Sequence, residues 1–370
     1  MENKKYFYRI DILRLIFCLC VVVLHFETFY PIFPGKGIKG FGRAVDFFFI
    51  LSGFLLMYSF KARRYQSGFE YFGSKVKRLF PLNLLMLFLF SAFTVFPGVI
   101  AHFSAAELLK SIYNFFINFI ATLPDVFFLQ LFIPVVENFI PSRIENIPIW
   151  YVSAMVVASF VWYSLLLLAS KDEKKSNYGW VLLFPVFIFC YLVNETKQLA
   201  LSQGPVKLLY LPGGFLRGFA DMAIGIFLAN YKIEIKSKFA ETVFKIALPL
   251  LVFAFMNYAM NTVMDFVFIV FTSVLLLFEF SYTPKESKFL ANIGHFCGKA
   301  SVILYFTHAF VIIFVYTPLF QKYPQIGENF FMSLLVRCGL LTVTGFAVYW
   351  LTKPVEKIIS NVLAHIKTAE

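Results

Sequence analysis

Long apolar blocks separated by short polar segments run along the whole chain. A helix needs about 20 mostly apolar residues to cross the hydrocarbon core of a bilayer, with a range of about 17–25. The pattern therefore predicts an all-α, polytopic membrane protein with a bundle of about ten transmembrane helices. The apolar blocks lie near residues 10–29, 45–60, 79–97, 147–169, 180–193, 215–230, 244–260, 264–280, 300–318 and 331–351.

One further apolar segment, 112–140, is interrupted by polar residues and prolines. The interruptions are Asn114, Asn118, Pro124, Asp125 and Pro134. Because such residues disfavour a continuous span, we predict that this segment is interfacial or re-entrant. No polar stretch is long enough to build a soluble domain, so the sequence predicts a single integral-membrane domain over 1–370.

The distribution of Lys and Arg predicts the orientation in the membrane. With the N-terminus in the cytoplasm, 22 of the 33 basic residues fall in inside segments and 8 in outside segments. This asymmetry is the positive-inside pattern, and it favours ten spans with both termini cytoplasmic. The basic N-terminus and first apolar run resemble a signal peptide, but no small-residue cleavage site follows. We therefore expect a retained first span and a multi-pass protein of the plasma (inner) membrane.

Composition supports the membrane assignment and narrows the chemistry. The chain is 60 % hydrophobic and 15 % charged, against about 45–50 % and about 25 % in soluble domains. The net charge of +12 comes from residues that flank apolar blocks, so it does not indicate nucleic-acid binding. The five cysteines form no C-x-x-C pair and the histidines no H-E-x-x-H motif, so no metal site is predicted.

The first span carries an unusual set of polar side chains. Arg14 and His25 are eleven residues apart, which puts them on one helix face about 16 Å apart along the axis. Asp11 precedes Arg14 by three residues and can pair with it. An Arg suits phosphate and a His suits proton transfer near neutral pH. The alternatives are an Arg that reaches the headgroups and a His that hydrogen-bonds a neighbouring helix.

Two further motifs follow in the next blocks. Residues 42–54 read Gly-Arg-Ala-Val-Asp-Phe-Phe-Phe-Ile-Leu-Ser-Gly-Phe, with Asp46 at the outer end of span two. Ser52 and Gly53 form a small-residue patch that predicts a close helix approach. A basic cluster then precedes Pro81 and contains Lys75, Lys77 and Arg78. The cluster is either a topology signal or a clamp for phosphate.

These motifs, in this order, resemble the membrane acyltransferase family 3. The basic residue and His of span one match Arg14 and His25, and the block 42–54 matches the family's second motif almost entirely. Lys75 and Arg78 ahead of Pro81 are similar to its Arg-x-x-Arg motif. The stretch from Ser301 through Tyr305 to His308 looks like its Ser-x-x-x-Tyr-x-x-His segment, and 353–356 like its closing motif.

The resemblance implies transfer of an acyl group, most often acetyl, from cytoplasmic acyl-CoA to a hydroxyl of an envelope sugar or lipid-linked glycan. His25 would be the general base or acyl relay, and Arg14 would steady the donor or the imidazole. Lys75 and Arg78 would hold the phosphates of coenzyme A. The acceptor side would be lined by Asp46, Ser52, His308 and Trp150.

Some features depart from the family pattern and leave alternatives open. Lys75 stands where Arg is usual, and Met155 and its neighbours are apolar where many members have a Glu after Trp150. No fused extracytoplasmic hydrolase-like domain is expected, so the protein would act alone, as a homo-oligomer or with a separate partner. A glycan or lipid transporter is the main alternative, and a glycan polymerase or ligase is a third hypothesis.

Overall fold

The structure, a computed structural model, describes residues 7–31, 38–95, 104–132, 146–170, 178–199, 206, 210–235, 237–256, 261–282 and 287–369. Every regular element of appreciable length in these ranges is a helix, which confirms the all-α prediction. The first helices are α1 (Tyr8–Phe29), α2 (Ala44–Lys61), α3 (Gly68–Val95), α4 (Ala105–Ala121), α5 (Leu123–Val126), α6 (Trp150–Ala169) and α7 (Leu183–Thr196). The later helices are α8 (Gly213–Leu228), α9 (Lys238–Met256), α10 (Thr262–Ser281), α11 (Lys288–Phe310), α12 (Thr317–Lys322), α13 (Gln325–Glu328) and α14 (Phe330–Ala369).

Eight helical stretches in the described ranges are long and apolar enough to cross a membrane. Two other predicted blocks, 215–230 and 244–260, are not among these eight; α8 covers most of the first, and α9 covers the second as far as Met256. Helix α8 has only 16 residues, and α9 begins with Lys238, Glu241 and Lys245. The interrupted segment forms the 17-residue α4 and the short α5. It is not one of the eight, and its residues 133–140 lie outside the described ranges.

The chain divides into two compact units that alternate along the sequence. The first unit contains Met1–Gly73 and Ala154–Ser301, and the second contains Ser74–Ser153 and Val302–Glu370. The prediction of a single domain over 1–370 stays a prediction.

In the first unit, α2, α8 and α10 run in the same direction. Asp46 of α2 binds Arg217 of α8, and Gly53, further along α2, contacts Met222, further along α8. Likewise Arg43, just before α2, pairs with Asp265 at the start of α10, and the rings of Phe54 and Phe280 stack further along. These directions agree with the predicted alternation, in which all three are even-numbered spans.

Helix α1 runs in the opposite direction to α10. Arg9, near the start of α1, binds Glu279 near the end of α10. Phe17, in the middle of α1, lies against Phe268, which is closer to the start of α10. The end of α1 that carries His25 therefore lies at the same end of the first unit as the start of α10.

Helices α2 and α8 touch through glycines. A Cβ on Gly53 would overlap the backbone carbonyl of Met222, and one on Gly225 would overlap the backbone carbonyl of Ile50. The two backbones are thus too close for any side chain at these positions. This confirms the close approach predicted from Ser52 and Gly53, and it fixes α8 against α2.

The second unit holds the rest of α3, the helices α4 and α5, and the chain from Val302 onward. A buried amide ties its segments together, because Asn83 of α3 donates to the backbone oxygen of Asp125 at 2.7 Å. Ser153 donates to the carbonyl of Phe128, a residue with a φ of 59°. After α11 the chain continues as a π-helix, Val311–Tyr316.

Candidate active site

Two buried ion pairs lie at one end of the first unit. The Arg43 guanidinium donates to Asp265 at 2.7 Å, and Arg217 donates to Asp46 at 2.5 Å. All four side chains are buried, with exposed fractions of 0–5 %. Asp46 and Asp265 lie in the first turns of α2 and α10, where the positive end of the helix dipole stabilises a carboxylate.

A fifth charged group, Asp221, lies beside these pairs. It follows Arg217 by four residues on α8 and is fully buried. The groups that act on it are Asp46 and Arg217. This end of the first unit therefore gathers two guanidinium groups and three carboxyl groups away from water, which for a membrane protein marks a functional or structural centre.

His25 lies at the same end of the first unit. It is partly buried in the last turns of α1, and Leu24 beside it contacts the region of Gly42. The ring atom Nδ1 donates to the backbone oxygen of Val21 at 2.9 Å. Because a carbonyl oxygen can only accept, the neutral ring carries its proton on Nδ1 and its lone pair on Nε2. Nε2 is the atom that can take a proton from a substrate.

Arg14 lies at the opposite end of α1 and binds Asp11 at 2.7 Å, as the spacing predicted. Arg9 forms a second ion pair there, with Glu279, through three short hydrogen bonds. Since eleven residues separate Arg14 from His25, the two residues are about 16 Å apart along the helix axis. In this structure the immediate partner of Arg14 is Asp11 and not the imidazole.

A cavity of about 410 Å³ opens at the end of the first unit that carries Arg9 and Arg14. Its lining is formed by Ile233, Glu234, Ile235, Glu241, Phe278, Ser281 and Tyr282. Lys245 donates to Glu241, and this hydrogen bond lowers the pKa of the Glu241 carboxyl group. Glu234 and Glu241 place two carboxyl groups in the lining, which disfavours a polyanion such as coenzyme A, so this cavity is a poor candidate for the donor phosphates.

The predicted phosphate-binding residues lie in the second unit. Lys75 and Arg78 are three residues apart on α3, so they share a helix face. Lys75 is partly buried and Arg78 is exposed. A guanidinium can bind a phosphate through two parallel hydrogen bonds, whereas an ammonium acts as a point charge. Arg78 is therefore the stronger of the two candidates for phosphate.

The predicted acceptor-side residues Trp150 and His308 are buried in the second unit. The side chain of His308 is fully buried, and its Nδ1 lies 3.1 Å from the backbone oxygen of Leu304. Tyr305, one turn earlier, donates to the backbone oxygen of Pro148. The π-helix begins three residues after His308, and such π-helical turns are frequent at functional sites.

The predicted site residues thus fall into two sets. Arg14, His25, Asp46 and Ser52 belong to the first unit, and Lys75, Arg78, Trp150 and His308 belong to the second. Within the first unit, His25 and Asp46 lie at one end and Arg14 at the other. Ser52 donates to the backbone oxygen of Phe48 within α2 at 2.8 Å.

Sequence reasoning missed the partners of the buried charges. The sequence pattern gives no partner for Arg43, Arg217, Asp221 or Asp265. The available signal was the cost of a charge inside an apolar block, which should have marked Asp221 one turn after Arg217.

Comparison with known protein families identifies the class of protein. A family model described as an acyltransferase domain matches residues 7–353, which is nearly the whole chain. The chain therefore belongs to this acyltransferase family, and with its apolar helices it is a multi-pass membrane acyltransferase. Searches of curated proteins and of solved structures gave no match.

Proposed function

We propose that this protein transfers an acyl group, most often acetyl, from cytoplasmic acyl-CoA to a hydroxyl of a cell-envelope or exopolysaccharide sugar. The observation that carries the proposal is His25, whose Nδ1 binds the backbone oxygen of Val21 so that in the neutral ring the lone pair lies on Nε2, in a chain whose family transfers acyl groups. In the reaction the hydroxyl oxygen forms an ester bond with the acyl carbon and the thioester C–S bond breaks. The hydroxyl proton passes to His25 and from there to the coenzyme A thiolate.

Two features support the choice of donor and acceptor. Lys75 and Arg78 lie on one face of α3, in a segment that the distribution of basic residues predicts to be cytoplasmic, where acyl-CoA is found. The ion-paired end of the first unit carries His25 and is predicted to be the outer end, where an envelope sugar would be presented. Arg14, by the family resemblance, would steady the donor.

Turnover by purified protein in proteoliposomes tests the proposal. Acetyl-CoA and a mixed pool of envelope glycans are supplied, and both free coenzyme A thiol and esterified glycan are measured. General-base catalysis contributes about 10²–10⁴-fold, so His25→Ala should lose activity by at least the lower figure. His295→Ala, an exposed histidine of α11, is the matched control and should keep wild-type activity.

Two results would contradict the proposal. Equal activity of His25→Ala and wild type would remove His25 from the chemistry. Movement of glycan across the vesicle membrane without any release of coenzyme A would favour the transporter hypothesis instead.

A further inference from the structure

The five ionisable groups at the predicted outer end of the first unit would carry a net negative charge if all of them were ionised. The guanidinium groups of Arg43 and Arg217 are each paired with one carboxylate, Asp265 and Asp46 respectively. Asp221 is the fifth group, and neither of its carboxyl oxygens accepts a hydrogen bond from a donor in the described part of the chain. It is nevertheless fully buried.

An ionised Asp221 would be very unfavourable in this position. Burial of a carboxylate without a hydrogen bond or a counter-ion is so costly that such a group takes up a proton instead. Asp221 follows Arg217 by one turn on α8, and Arg217 binds Asp46, which brings the two carboxyl side chains close together. Two ionised carboxylates offer only acceptor oxygens, so a bond between them requires that one carries a proton.

We propose that Asp46 and Asp221 form a buried proton-binding site, in which Asp221 carries the proton and donates it in a hydrogen bond to Asp46. Arg217 stabilises the ionised form of Asp46 and not of Asp221, because its Nε donates to Oδ1 of Asp46 at 2.5 Å. With one proton on Asp221, the cluster holds two positive and two negative charges and is neutral.

A proton fits this site better than a metal cation does. Hard cations take about six or more oxygen ligands, and here the Arg217 guanidinium already occupies Asp46 and also donates to the backbone oxygen of Gly42. The positive guanidinium opposes any further cation, but a proton needs only one carboxyl oxygen to hold it, whereas a metal ion needs several oxygen ligands that this site does not offer.

Protonation in the folded state has a consequence for stability. At neutral pH the unfolded chain carries an ionised Asp at this position, so the folded protein binds one more proton than the unfolded one. By linkage, stability then falls as the pH rises, and the unfolding constant increases about tenfold per pH unit for one proton. Asp221→Asn keeps a hydrogen-bond donor for Asp46 and has no proton to lose, so this dependence should disappear.

Two measurements on purified, full-length protein test the site. The first is infrared difference spectroscopy, in which wild type at neutral pH should show the carbonyl band of a protonated carboxylic acid that Asp221→Asn lacks. The second is SDS-induced unfolding between about pH 6 and pH 8. Asp221→Asn should lose the steep pH dependence, so the ratio of the wild-type unfolding constant to that of the variant should rise about a hundredfold from pH 6 to pH 8. Asp265→Asn is the matched control and should be destabilised at every pH, because it removes the carboxylate that Arg43 binds.

Three outcomes would overturn the proposal. A wild type without the protonated-carboxyl band would show that Asp221 is ionised. Failure of Asp221→Asn to fold, with Asp265→Asn as reference, would show that a negative charge is needed at that position. Stabilisation of wild type but not Asp221→Asn by sodium chloride, relative to choline chloride, would assign the site to a cation.

Discussion

Buried ion pairs determine how much stability is lost when a single charged residue of the first unit is replaced. A charge that is removed from water and then loses its partner costs far more than the pair itself contributes. Arg43 and Asp265 are a clear instance, since the two side chains are 0 % and 5 % exposed. A single substitution and a paired substitution should therefore have very different effects.

Asp265→Asn should destabilise the protein by about 3–5 kcal/mol, the range for breaking a buried pair. Replacement of both partners, Arg43→Met with Asp265→Leu, should recover most of that loss because no charge is left buried. The measurement is SDS-induced unfolding of the purified variants. A double variant no more stable than the single one would show that the pair is needed for more than mutual neutralisation.

Arg78 carries a prediction about donor binding. Arg78→Lys keeps the charge but loses the two parallel hydrogen bonds that a guanidinium gives a phosphate. If Arg78 binds a coenzyme A phosphate, the KM for acetyl-CoA should rise about tenfold or more while the protein stays folded, since one charge-assisted hydrogen bond is worth about 1.5–3 kcal/mol. Lys77→Ala, an exposed neighbour on a different helix face, is the control. Equal KM values for all three proteins would exclude this role.

At the scale of single residues, sequence reasoning found the polar groups of α1 but not their long-range partners. The Asp11–Arg14 pair was predictable because three residues on a helix bring side chains together. Arg217 and Asp46 are 171 residues apart, and only the packing of α8 on α2 makes them partners. No local pattern encodes that pairing.

Among the elements, α2 and α8 approach each other closely, because glycines let their backbones meet. Gly53 and Gly225 each face a backbone carbonyl of the other helix, and a backbone atom cannot rotate away as a side chain can. The pair should therefore be intolerant of added volume.

Gly53→Val should destabilise the protein by about 1–3 kcal/mol or more, the cost of overpacking a well-packed interior. It should also weaken the neighbouring Asp46–Arg217 bond by separating the helices. Gly339→Val is the matched control, because nothing lies within 4 Å of a Cβ at Gly339. Similar unfolding midpoints for the two variants would contradict the close packing of α2 on α8.

The helices themselves were largely predictable from the apolar blocks, and the exceptions have physical causes. Helix α8 has 16 residues, which at about 1.5 Å per residue is about 24 Å long, so the length criterion alone misses it. Helix α9 mixes charges into its first two turns. A strict criterion of length and charge therefore misses both helices, whereas the apolar blocks 215–230 and 244–260 predict a span at each.

For the whole molecule, the distribution of basic residues predicts which side of the membrane each segment faces. The structure adds that α2, α8 and α10 run parallel, as the predicted alternation requires. Sidedness itself is open to direct measurement with membrane-impermeant thiol reagents, since several exposed positions lie on opposite predicted sides.

In a background with Cys190 and Cys338, the exposed cysteines, changed to Ser, Ala105→Cys should be labelled in intact cells. Arg64→Cys and Lys357→Cys should react only after the membrane is permeabilised, because both are predicted to be cytoplasmic. All three positions are exposed in the structure. Labelling of Arg64→Cys but not Lys357→Cys would show an odd number of crossings between them.

The pairing of α8 with α2 also has a consequence for biosynthesis. When α8 leaves the ribosome it carries both Arg217 and Asp221, and a helix with two such ionisable side chains does not partition stably into lipid by itself. Its counter-charge, Asp46, has by then been made 171 residues earlier. Helix α2 must therefore still be beside the insertion channel when α8 arrives, so the first unit enters the bilayer as a cooperative group and not one helix at a time.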